Sequence, residues 1–180
     1  MNLITKRVHM NRCNGREVKQ LTLDRDFNVP DARPDALQIM KEQGEVQIEE
    51  VHMMEGKASV KGLLHFQILY ASDGDIPVSE MTGTIPFEET ISLPQAKAED
   101  EISVQAEIGD LKSELINSRK LGMKAIVVLN VTAGSVCDGE GAIDIEGGED
   151  IYTKKRTAEV SYLVFSKKDT LRVRDEWKIP

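Results

Sequence analysis

The sequence predicts an all-β chain, an antiparallel β-sandwich or barrel-like module with one short helix, and three observations carry that reading. Every second residue from Val60 through Gly62, Leu64, Phe66 and Ile68 to Tyr70 is mostly apolar, the period of a strand that turns one face to a core. Runs of this kind recur at short spacing with turn-forming residues between them, the pattern of antiparallel sheets joined by hairpins. Only Pro34–Gly44 has apolar residues at helical spacing.

Residues 1–20 are an N-terminal extension or a first strand, and the alternation of the main module begins at Leu21 and Leu23. Pro30 ends that strand, Asp31 turns the chain and Pro34 opens the helix, since proline's fixed φ and missing N–H suit a first helical turn. Leu37, Ile39 and Met40 would then cover one open end of the sheets, and Gly44 would stop the helix. In VQIEEVHM, Val46 and Ile48 are out of phase with Val51 and Met53, so a bulge is expected near Glu49 and Glu50. Met54-Glu55-Gly56-Lys57 suits a tight hairpin with Gly56 at positive φ. That hairpin sets Val51 opposite Val60, Glu50 opposite Lys61, His52 opposite Ser59 and His65 opposite Val46.

Further strands are expected through Ile85, Phe87 and Ile91, and through Ile102, Val104, Ala106 and Ile108. Met123, Ala125, Val127, Leu129 and Val131 share a face while Ile126 and Val128 take the other, so this strand is expected to be covered on both sides. The last runs place Val160, Tyr162 and Val164 in phase, then Leu171 and Val173.

Composition excludes several functions. At 180 residues the chain can bury about 70% of its unfolded surface, and 40% apolar with 30% charged residues is the balance of a folded domain. No stretch approaches a membrane span, and the first residues lack a signal peptide's apolar block, so a cytoplasmic protein without membrane insertion is expected. The net charge of -8 opposes nucleic-acid binding, which depends on neutralising phosphates. Cys13 and Cys137 form neither a disulfide framework nor a metal knuckle and read as plain thiols.

The residues offer no catalytic constellation, no metal site and no cofactor motif. His9, His52 and His65 do not converge in the register above, and phosphate loop, GxSxG and HExxH patterns are all missing from the sequence. Cys137–Asp150 is acidic and glycine-rich, but its spacing does not fit a calcium loop, so a solvated, flexible acidic loop is expected. VPDARPD reads as a strand end, turn and helix start; alternatively it is an exposed ligand-presenting loop, with Asp31, Arg33 and Asp35 on a backbone stiffened by proline. ELINSRK, Glu114–Lys120, reads as a strand end and turn, with a polar recognition loop carrying Asn117 and Arg119 as the alternative.

One pattern recurs. Leu21, Leu23, Asp26, Phe27, Val29 and Pro30 are matched, at a shift of 150 residues, by Leu171, Val173, Glu176, Trp177, Ile179 and Pro180. The expected organisation is a β domain over 21–170 and a strand at 171–180 that begins a second, truncated module or closes the first sheet.

The series FNVPDARPDALQIM, GTIPFEETISLP and ELINSRK, with GGEDIYTKKRTAEVSYLV and KKDTLRVRDEWKIP, resembles the SPOCS domain of clostridial SipL-like spore-coat morphogenetic proteins, from about Leu21 onward. The resemblance implies a non-enzymatic module of spore coat assembly, in the mother cell at the forespore surface. It also implies other coat morphogenetic proteins as partners; a self-assembling structural module is a further alternative. In that family a LysM segment engages the coat-anchoring ATPase, so that contact falls on no residue of this sequence. The competing expectation is a carbohydrate-binding or cell-wall-binding β-sandwich, against which stands an aromatic share of only 4%.

Overall fold

The computed structural model describes residues 2–73 and 77–147, with residues 152, 154, 156, 157 and 159. The expected strands around Val160–Val164 and 171–180, with the repeated motif and Trp177, lie outside the described residues. Among the described residues six strands follow in order: β1 (Asn2–Asn28), β2 (Asp35–Met54), β3 (Lys57–Asp73), β4 (Val78–Ser92), β5 (Glu101–Asn117) and β6 (Lys120–Glu146).

The chain divides into two compact units. Cys13–Ser135 is the first, and it holds two three-stranded antiparallel sheets with strand orders β1-β6-β5 and β2-β3-β4. Their inner faces share two apolar clusters. In one, Val60, Phe87 and Ile91 pack with Val104, Val127, Leu129 and Val131; in the other, Leu64, Phe66, Ile68 and Tyr70 pack with Leu121, Met123 and Val29. The sheets therefore bury each other, and the unit is a sandwich with no closed barrel. The second unit comprises Met1–Arg12 and Val136–Pro180, and its described strand residues come from the start of β1 and the end of β6. Within it Asp138 pairs with both Arg7 and His9.

Strand β3 bears out the alternation on which the fold class rests: Val60, Gly62, Leu64, Phe66, Ile68 and Tyr70 are buried, while Lys61, His65 and Gln67 occupy the other face. Gly56 has φ of 70°, as its turn position requires. Its N–H donates to Ala96 O at 2.9 Å and its carbonyl accepts from Leu93 N at 2.8 Å, so the hairpin tip is tied to the β4–β5 connection. Strand β6 buries Met123, Ala125, Val127, Leu129 and Val131, and leaves Ile126 and Val128 half-buried.

Three expectations are corrected. Residues 34–44 are not a helix: Asp35 onward is strand, paired with β3 from Asp35↔Asp73. Its helix-like spacing comes from bulges, which insert one extra residue and shift the phase of a period-two pattern. Register shifts fall between Ala36 and Gln38 and between Ile39 and Lys41, so Leu37 and Met40 are the unpaired extra residues, 58% and 61% exposed. They cover nothing, whereas Ala36 is buried and Ile39 packs against the core. A third shift between Ile48 and Glu50 is the bulge expected there, and it moves Val46 opposite Leu64 and His65 opposite Glu45. Finally, the acidic stretch is not a loop through Glu146 but the end of β6. Its exposed carboxylates alternate with half-buried Cys137, Gly139 and Gly141, and Arg7 and His9 of β1 offset the charge of Asp138.

Candidate interaction site

The five residues singled out in VPDARPD and ELINSRK meet at one corner of the sandwich unit. Chain reversal after β1 is local: Arg33 N donates to Pro30 O at 2.9 Å, closing a turn over Asp31 and Ala32. The β5–β6 hairpin turns at Ser118 and Arg119, where Asn117 Oδ1 accepts from Arg119 N at 2.9 Å, a side chain mimicking a backbone turn. Two backbone bonds join the segments, Val29 N to Arg119 O and Ala36 N to Ser118 O, both 2.8 Å.

Arg119 then binds the whole reversal together. Its Nη1 donates to Arg33 O at 2.8 Å and Asp35 Oδ1 at 3.2 Å. Its Nη2 reaches Val29 O and Pro30 O, both at 3.1 Å, and Asp31 Oδ1 at 3.3 Å. Ser118 Oγ takes the other oxygen of Asp35 at 2.8 Å. A planar guanidinium with five N–H donors is the side chain suited to such divergent acceptors. Tyr70, whose ring is buried, adds a longer bond from its hydroxyl to Pro34 O at 3.4 Å.

The corner divides its labour. Arg119, Asn117 and Asp35 face inward to the turn and hold its shape. Asp31 is fully exposed, and Arg33 points its guanidinium outward to within 4.0 Å of Glu80 Oε1. The result is a fixed loop that carries an acid and a base on its surface. Sequence reading had both motifs but no signal that they touch, since Asp35 and Ser118 are 83 positions apart. It also passed over Ser118 and Tyr70, whose roles depend on that meeting.

A second polar junction went unmarked in the sequence. Asp100, buried at the end of the β4–β5 connection, accepts from Lys97 N at 2.9 Å and from Asn14 Nδ2 at 2.9 Å to each oxygen. Asn14 Nδ2 also lies 3.0 Å from Ser135 Oγ. The Lys97 backbone bond, then Asn14, hold the Asp100 carboxyl below its ordinary range. Glu50 is lowered likewise, first by its hydrogen bond with His52 at 2.7 Å. For Asp138 burial pushes upward, but the bond and charge of Arg7, with His9, outweigh it and the net direction is down. Among the described residues no group of His, Cys, Asp and Glu side chains is arranged to hold a metal, and no helix is long and apolar enough to cross a membrane.

Comparison with known proteins gives one family. The model described as SipL, SPOCS domain matches residues 35–116. That match runs from the first residue of β2 to the penultimate residue of β5, so Asp35 lies within it while Asp31, Arg33, Asn117 and Arg119 stand just outside. No curated protein and no solved structure matches the chain.

Proposed function

We propose, from the match of residues 35–116 to the SipL, SPOCS domain model, that the chain is a non-enzymatic scaffold module that docks another coat morphogenetic protein during spore coat assembly, on the mother-cell side of the forespore. The SPOCS domain is a non-catalytic domain family. The observation that carries the reading is the Arg119-bound corner. It presents Asp31 and Arg33 from a turn whose shape is already set, so binding need not order a loop, and preordered loops dock with a smaller entropic cost. Charges at a rim act mainly on encounter rate and partner choice.

The test is capture from a lysate of sporulating cells, with the chain as bait beside an Asp31→Lys, Arg33→Glu double variant. The wild-type chain is expected to retain a defined coat morphogenetic protein, and the double variant, equally folded by circular dichroism, to lose most of it. Equal recovery by both would remove the corner from the interface; recovery of no coat component by either would remove the scaffold reading.

A further inference from the structure

A groove of about 470 Å³ lies on the sheet β2-β3-β4, lined by Gln43, Glu45, His65, Gln67, Thr82 and Thr84 around the backbone of Gly44, Phe66 and Gly83. These side chains form a grid of two rows, because β2, β3 and β4 align Gln43 with Gln67 and Thr82, and Glu45 with His65 and Thr84. All six point away from the buried face that Phe66 occupies. His65 Nε2 is enclosed and has no hydrogen-bond partner among the described residues. An enclosed ring nitrogen without a partner is costly, and a lining side chain has to swing aside before a polar group from outside the chain can meet it.

We infer that this groove binds a short neutral glycan. Two carboxamides and two hydroxyls each donate and accept, His65 offers a ring nitrogen, and Glu45 is the single carboxylate, so the lining suits a ligand of many hydroxyls and little charge. A phosphate or carboxylate ligand would face Glu45 with no Lys or Arg in the lining, and a divalent cation would find one carboxylate where it needs several oxygen ligands. One row toward the hairpin, half-buried Leu63 stands opposite exposed Pro86, an apolar ledge for the C–H face of a sugar ring. The ring of Phe66 lies beneath the sheet, packed edge-on against Phe27 with centroids 4.6 Å apart, so it provides no stacking platform and the affinity is weak. The groove shares no residue with the corner. Glu80 lies between them, accepting from Gln67 Nε2 at 2.9 Å and facing Arg33.

The experiment is an amide-shift titration of the full chain with maltotriose and with chitotriose. Saturable shifts are expected at residues 43–45, 65–67 and 82–84 with at least one of the two. Thr84→Val, which keeps a β-branched side chain and deletes one hydroxyl, should weaken binding about fivefold, the loss of one hydrogen bond. Asp31→Lys should leave it unchanged, which separates this site from the docking corner. Shifts that do not saturate with either sugar, that map elsewhere, or that ignore Thr84→Val overturn the inference. A crystal soaked in the same sugars that shows only ordered water on His65 Nε2 does so as well.

Discussion

At the scale of single residues, Arg119 has the largest expected effect. Arg119→Ala deletes all the guanidinium bonds and leaves the carbonyls of Val29, Pro30 and Arg33 to water, at a cost of about 2 kcal/mol in a urea titration. Arg119→Lys should recover less than half of that, because an ammonium is a point charge that cannot span acceptors on both sides of the turn. Gly83 is constrained by space: a Cβ there would come 2.4 Å from Cζ of Phe66. Gly83→Ala should therefore destabilise by about 1–3 kcal/mol through overpacking, read as a lowered melting temperature. Asp100 sets a pH dependence. Its folded carboxyl titrates below its ordinary value of 3.8, so its contribution is complete above that value and is lost as pH falls through the lower folded one. Urea midpoints near pH 7 and about pH 3 should differ more in the wild-type chain than in Asp100→Asn.

At the scale of elements, β2 is the instructive strand. Ile39 packs on the core between two bulge residues that face water, so Ile39→Thr should cost about 1–2 kcal/mol while Leu37→Thr and Met40→Thr stay within about 0.5 kcal/mol. A helix covering the sandwich would give the opposite order for Leu37 and Met40. The same strand shows how far the sequence could be read. Where pairing is unbroken, as in β3 and β4, period two alone identified Val60 through Tyr70 and Ile85, Phe87 and Ile91 as buried. Where an extra residue enters every third or fourth position, the apolar spacing of Ala36, Ile39 and Met40 imitates a helical face, and Pro34 and Gly44 strengthen the imitation. Nothing local distinguishes the two, because the deciding contacts are made with β3. The corner failed to be legible for a related reason: each motif carried its turn chemistry, but the acceptors of Arg119 lie on the connection from β1 into β2, 84 to 90 positions earlier in the chain.

At the scale of the molecule, all residues of both core clusters lie between Leu21 and Ala133. A chain cut to Cys13–Ser135 should therefore fold alone, giving dispersed amide spectra and a single cooperative melt. Loss of cooperativity in that chain would mean that the remaining residues complete the core. Within the unit, β1 hydrogen-bonds β6, and Asn14 meets Ser135 across 121 residues. During synthesis β1 must wait for β6. Until the ribosome has released β6, the sheet β2-β3-β4 stands with Leu64, Phe66 and Ile68 uncovered, so a stall just before Lys120 should yield an aggregation-prone product.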